Sequence, residues 1–84
     1  MSYYVYLIGG FKKNKFKTYV GYTKNLKKRL FKHNSGKGAK STRGYKWKFF
    51  YYKKYSVKKR AMSQEYFLKK NKLKRKEIVN KFLN

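Results

Sequence analysis

The sequence predicts an α+β fold, a small three-stranded antiparallel sheet flanked by helices in the order β-β-α-β-α-α. Three observations carry that prediction. Three short runs, residues 3–8, 18–22 and 47–52, are rich in aromatic and β-branched side chains, which suit a pleated, half-buried surface. Elsewhere apolar residues recur at helical spacing, as Leu26 with Leu30 and Ala61 with Leu68. No internal repeat divides residues 1–84, so they read as one domain with a thin core.

The first run alternates Tyr4, Tyr6 and Ile8 with Tyr3, Val5 and Leu7, and Gly9-Gly10 is expected to end it. Residues 12–17 form a basic turn, and residues 18–22 return antiparallel as a hairpin. Tyr19 and Gly21 then share a face, which the glycine leaves open. Thr23 offers a capping hydroxyl to a helix over about 24–34. On that helix Arg29 and His33 lie one turn apart and project from the same side. Residues 35–44 form a glycine-rich basic loop. The third run carries aromatics on both faces and is expected to be a central or doubly covered strand. A second helix begins at Ser56 or Val57, with Ala61, Leu68 and the stem of Gln64 along one stripe and Glu65 at its edge. A last amphipathic segment, 74–83, is expected to place Ile78, Val79, Phe82 and Leu83 against the body.

Charge is the strongest compositional signal: 26 Lys and Arg stand against 2 acidic residues, a formal net charge of +24. Such a field favours polyanions, most directly nucleic-acid phosphates. Disorder does not fit, because 21% of the residues are aromatic and the apolar ones are periodic. Without cysteine, neither disulfides nor thiolate-bound zinc can staple the fold. No stretch approaches a membrane span, and Lys12, Lys13 and Lys15 follow the first apolar run too closely for a signal peptide. The expectation is an intracellular protein, in cytoplasm and nucleoid or in a nucleus, with no membrane partner.

Few enzymatic mechanisms survive this composition. Glu65 and Glu77 are the only carboxylate side chains, which disfavours paired-carboxylate chemistry and two-metal sites built from several acids. One histidine and no aspartate disfavour a serine triad. The 35–44 loop fails as a nucleotide-binding P-loop: Ala39 precedes Lys40-Ser41, Asn34 stands at the first glycine position, and the loop follows a helix. One hard divalent ion on a single glutamate, its shell completed by waters and substrate phosphate, remains open. The other reading for Glu65 is an exposed pair with Lys69 at i+4, and Glu77 can pair with Lys81 in the same way. Lys37, Lys40 and Arg43 are candidates for touching phosphates, a plain connector being the alternative. Tyr6 and Tyr19, two of ten tyrosines, can also be packing residues.

Taken in order, Tyr4-Val5-Tyr6, a basic turn, Tyr19-Val20-Gly21, Lys28-Arg29-Leu30, His33-Asn34 and Glu65 resemble the GIY-YIG nuclease superfamily. The loop from His33 to Lys40 and the segment Leu73-Lys74-Arg75-Lys76-Glu77 look most like its small stand-alone bacterial members. Thr42-Arg43-Gly44 and Trp47 also resemble the catalytic module of the structure-selective nuclease that cuts branched DNA beside a scaffold partner. The resemblance implies the same three-stranded sheet. It further implies a metal-dependent endonuclease that hydrolyses phosphodiester bonds, DNA most of all, in repair or recombination, with a partner protein as a source of specificity. Residue by residue, it makes Tyr6 and Tyr19 the motif tyrosines, Arg29 the family arginine, His33 the helix histidine and Glu65 the ligand of Mg²⁺ or Mn²⁺. A tyrosine then serves as general base, Tyr19 ranked before Tyr6, with His33 as a competing base or an orienting partner. Arg29 stabilises charge on the phosphoryl oxygens.

Two departures from the family pattern stand out. Tyr4 occupies a glycine position, and Asn71 is the nearest match to an asparagine that some members carry after the glutamate. The alternative that composition fits equally well is a non-catalytic basic nucleic-acid-binding protein. The set Tyr6, Tyr19, Arg29, His33 and Glu65, which binding does not require, separates the two.

Overall fold

The computed structural model describes residues 1–84. It has three strands, β1 (Tyr3–Lys12), β2 (Lys15–Thr23) and β3 (Lys46–Tyr55), and three helices, α1 (Leu26–Asn34), α2 (Lys58–Lys70) and α3 (Lys72–Leu83). A short 3₁₀ turn, Lys40–Thr42, interrupts the loop between α1 and β3. The sheet is antiparallel throughout, in the spatial order β2-β1-β3. The fold is therefore α+β in the order β-β-α-β-α-α.

β1 is the central strand, and β3 lies at an edge, where the sequence pattern had favoured a central place for β3. The physical reason is visible in the side chains. β1 presents an unbroken buried run from Val5 to Gly10, whereas β3 carries exposed lysines at 46, 48, 53 and 54 that keep an edge in water. Odd positions of β1 face one layer: Val5 and Leu7 pack with Val20, Phe50, Ala61 and Leu68, beneath α2 and α3. Tyr6 and Ile8 face the other layer with Trp47, bordered by Tyr19, Leu26 and Leu30 on the α1 side. Removing an aliphatic side chain such as Leu7 or Ile8 from water contributes roughly 1.5–3 kcal/mol.

β1 does not stop at Gly9-Gly10 but runs on to Lys12. The two glycines sit beneath aromatic rings: a Cβ on Gly10 would come within 2.6 Å of the Trp47 indole, and one on Gly9 would run into the Phe50 ring. The ladder then continues to Lys12 opposite Lys15, leaving Lys13-Asn14 as the whole hairpin loop, with Lys13 at φ 55°. A bulge in β3 lies where Leu7 pairs with Tyr51 but Ile8 pairs with Phe49. The extra residue, Phe50, lets Phe49 join the α1 side while Phe50 and Tyr51 both join the α2 side.

Helix ends also depart from the sequence reading. Asn25, not Thr23, caps α1, its Oδ1 accepting from the Lys28 N–H at 3.0 Å. Thr23 instead braces the preceding turn: its oxygen accepts from the Asn25 N–H (3.1 Å) and its hydroxyl donates to the Asn25 carbonyl (3.2 Å). Asn71 joins α2 to α3 and caps the latter by accepting from the Lys74 N–H at 3.0 Å. On α3, Ile78 and Val79 pack on the core and Phe82 stacks on Phe50 with centroids 4.0 Å apart. Leu83, a further ~100° round the helix, faces water rather than the body.

Candidate active site

The site forms where the β1 face carrying Tyr6 meets α1. Tyr6 pairs with Gly21 across the β1–β2 ladder. A Cβ at Gly21 would overlap the Tyr6 hydroxyl, so the open face left by the glycine is filled by that phenol. α1 crosses above and lowers His33 onto it. The Tyr6 hydroxyl and His33 Nε2 are 2.8 Å apart, and both side chains are fully buried.

The hydrogen-bond chain fixes the tautomer of His33. Thr42 donates its hydroxyl proton to the Ala39 carbonyl at 2.7 Å, so its oxygen is free to accept. His33 Nδ1 lies 3.0 Å from that oxygen and therefore carries the proton. Nε2 is left as an acceptor, and Tyr6 donates to it. Burial, followed by the charge of Arg29, pushes the His33 pKa below its ordinary 6.5 and keeps the ring neutral. Burial likewise pushes the Tyr6 phenol up from its ordinary 10.0; the Arg29 charge opposes this, while Tyr19 and Glu65 add to it.

Arg29, half-buried on α1, is close enough to act on both members of the Tyr6–His33 pair. Tyr19 is half-buried with its ring against the same imidazole, centroids 5.0 Å apart. Glu65 stands on α2, which packs on the other layer of the sheet from α1. Its charge acts on Tyr6, and its polar partner is Lys69 rather than a residue of the Tyr6–His33 pair. Its side chain is 22% exposed and holds Lys69 Nζ at 3.2 Å, so the ion pair that the spacing allows is formed. Glu77 lies on α3 beside Lys74 and Lys81, in a groove on the same layer as α2 but lined by β3 and α3 residues.

No cluster of three or more His, Cys, Asp or Glu side chains exists, which excludes a closed all-protein cage. A single, partly exposed carboxylate suits a hard ion of the Mg²⁺ class, which keeps waters and takes substrate phosphate as a ligand. The residues present fit that mode with Glu65 as the protein ligand.

Lys37, Lys40 and Arg43 are exposed on the loop after α1. That loop is more than a connector in structural terms. A Cβ on Gly38 would come within 2.6 Å of His33 Nδ1, so the backbone lies tight against the imidazole. Trp47 Nε1 donates to the Thr42 carbonyl at 2.8 Å, and Lys17 Nζ donates to the Ser41 carbonyl at 2.7 Å. Asn34 clamps the start of β3, donating to the Trp47 carbonyl (3.1 Å) and accepting from the Trp47 N–H (2.6 Å). Sequence reasoning missed Thr42, Asn34 and Trp47 as supports of the site. The signal was present, since all three lie in stretches that carry the family resemblance, His33-Asn34 and Thr42-Arg43-Gly44 with Trp47, but it assigned them no role.

Comparison with known proteins agrees with this architecture. Residues 2–78 match the GIY-YIG catalytic domain. A UPF0213 protein of Bacillus pumilus is 46% identical over 61 residues, covering 71% of this chain and 62% of that one. A UPF0213 protein of Bacillus licheniformis is 50% identical over 60 residues, with 70% and 62% covered. The chain thus aligns with less than two thirds of the length of these relatives. The solution NMR structure of the UPF0213 protein BH0048 from Bacillus halodurans superposes with a TM-score of 0.52 at 35% identity, over 96% of this chain and 84% of that one. With its ordered motifs carried on the matching sheet and helices, the chain belongs to the GIY-YIG catalytic domain family.

Proposed function

We propose that this protein is an endonuclease that hydrolyses nucleic-acid phosphodiester bonds, DNA foremost, with one divalent ion held at Glu65. The observation that carries the reading is the buried Tyr6–His33 hydrogen bond beside Arg29. A protein that only binds phosphates has no need for a neutral histidine poised to take a proton from a buried phenol. A divalent ion on Glu65 would supply Lewis-acid polarisation of the scissile phosphate and offset charge on the leaving oxygen.

The chain's own residues then do the proton work. Water attacks phosphorus and gives a proton to the Tyr6 oxygen as Tyr6 passes its own proton to His33 Nε2. This relay avoids a free phenolate, which matters because burial opposes ionisation of Tyr6. The new imidazolium keeps its Nδ1–H on Thr42. The P–O bond to the leaving oxygen breaks, and that oxygen takes its proton from solvent. His33 returns its extra proton through Tyr6 to solvent after product leaves. Arg29 stabilises the charge on the non-bridging oxygens. Tyr6 is fully buried in the free chain, so the proton transfer from water requires the Arg29 side chain, which acts on the hydroxyl, to shift toward the bound phosphate and admit the reacting water. Tyr19, ranked ahead of Tyr6 from sequence, packs at a tilt against the imidazole and serves in this scheme to hold the ring. Lys37, Lys40 and Arg43 would position substrate phosphates.

The experiment is a cleavage assay on flaps, junctions, duplexes and single strands of DNA and RNA, with Mg²⁺ or Mn²⁺ and with chelator. Cleavage is expected only with the ion. Glu65→Gln should abolish it while leaving binding in chelator at least as tight, because a negative charge is removed from the interface. Full activity of Glu65→Gln would overturn the one-ion reading, and an intact protein that binds but cuts no substrate would return it to a binding module.

A further inference from the structure

We infer that the groove between the end of β2 and α1 carries the nucleic-acid backbone away from the active site, with Lys24, Lys28 and Lys32 neutralising successive phosphates. The inference rests on the nuclease reading above and adds a second phosphate track to it, distinct from the loop that follows α1.

The groove measures about 310 Å³. Four of its seven lining residues, Lys24, Lys28, Arg29 and Lys32, are cationic and none is acidic. It shares Arg29 with the site, and that guanidinium acts on both Tyr6 and His33. An anion that fills the groove therefore meets the arginine that also acts on the Tyr6–His33 pair. Lys28 and Lys32 stand one turn apart on one face of α1, about 6 Å along the helix axis, far enough to meet separate phosphates of one strand. Lys24 extends the row from the turn before the helix, its Nζ 5.7 Å from the centre of the Tyr3 ring. Tyr3 in turn stacks on Tyr22, which gives the groove one aromatic wall.

The larger groove between β3 and α3, about 430 Å³, contrasts with this one. It contains Glu77 and is lined mainly by apolar residues. Nor is the lysine row of α1 explained by the folded state alone. Like charges at i,i+4 weaken a helix, and no carboxylate in the groove offsets Lys28 against Lys32. Phosphates entering the groove would supply that missing counter-charge.

The test measures binding in chelator, with no cleavage, by fluorescence anisotropy of labelled duplex and single-stranded DNA across a salt series. One variant combines Lys24→Gln, Lys28→Gln and Lys32→Gln; its control combines Lys72→Gln, Lys76→Gln and Lys81→Gln on α3, removing equal charge from the other layer. For the α1 variant the slope of log K against log salt on duplex should fall by about 2–3, near 0.9 per lost contact. The α3 control should lose less than about one. Thermal melting should show the α1 variant folded and no less stable, since repulsion on the helix is relieved. Equal slope losses in the two variants, or an unchanged slope in the α1 variant, would overturn the inference while leaving the nuclease reading intact. A wild-type protein that shows the selective slope loss but never cleaves would sink the nuclease reading and keep the groove. A wild-type protein that binds neither DNA would sink both.

Discussion

His33 owes its usefulness to Thr42, a residue with no chemistry of its own. The threonine hydroxyl commits Nδ1 to a proton and Nε2 to the role of acceptor. Replacing it with valine keeps the volume but strands one buried polar group, His33 Nδ1–H, while the Ala39 carbonyl keeps the backbone N–H of residue 42. That should destabilise the fold by about 1–3 kcal/mol. The effect on acid behaviour distinguishes positioning from mere packing. The folded-state pKa of His33 is depressed, so the folded chain binds fewer protons than the unfolded one just below pH 6.5. Stability from this group is complete above about 6.5 and is lost as pH falls through the folded pKa. Activity, needing a neutral acceptor, should fall over the same acid range. Thr42→Val removes the acceptor that supports the imidazolium, so its acid limb should move to still lower pH as the maximal rate drops. Thr42→Ser should restore rate and limb together. A pH–rate profile that keeps its shape in Thr42→Val would leave Thr42 as scaffold only.

At the level of elements, the sequence was most legible where periodicity is long and local. The order of strands and helices, the facing of Tyr19 and Gly21, and the one-turn relation of Arg29 to His33 all follow from spacings within single segments. What could not be read was set by partners distant in sequence. Gly9 and Gly10 look like a strand end until Phe50 and Trp47 are laid across them. The bulge at Phe50 breaks the alternation of β3, so its aromatics suggest two covered faces and hide its place at the edge. Thr42 reaches His33 only because the loop folds back, and nothing at nine residues' separation announces that. The hairpin offers a direct test of one local mismatch. Lys13 sits at φ 55°, a region that costs a side-chain-bearing residue about 1–2 kcal/mol. Glycine removes this strain but loses about 0.5–1 kcal/mol through its freer unfolded chain. Lys13→Gly should therefore be mildly stabilising, by up to about 1 kcal/mol, or several degrees in melting temperature for a chain of this size. A lower melting temperature would mean that Lys13 makes stabilising contacts that outweigh its backbone strain.

For the whole molecule the governing quantity is charge. A formal +24 is packed into a body with a radius of gyration of 12.4 Å, and the one salt bridge it contains joins Glu65 to Lys69. Folding brings these charges closer than they stand in an extended chain, so self-repulsion opposes the compact state. At 0.1 M salt the screening length is about 10 Å, comparable with the molecule itself, and at 1 M it falls to about 3 Å. Raising sodium chloride from about 0.05 to 0.5 M should therefore raise the melting temperature, with the largest gain at the low end of the range where screening changes most. Chloride is preferred to sulfate because sulfate strengthens apolar burial by itself and would mimic the result. A polyanion should act more strongly at far lower concentration, since it binds the folded surface in many places at once. Duplex DNA at 100 times its dissociation constant would add about 2.7 kcal/mol of linkage if only the folded chain bound it. The chain's unfolded form is just as basic and binds too, so the measured gain should fall below that figure. Salt and DNA should also interfere, because added chloride weakens phosphate binding while it relieves repulsion. Melting curves over a grid of salt and DNA concentrations would show this as a DNA-induced shift that shrinks as salt rises. A melting temperature that falls with sodium chloride in the absence of DNA would mean that local attractive contacts, not net repulsion, dominate the electrostatics of this fold.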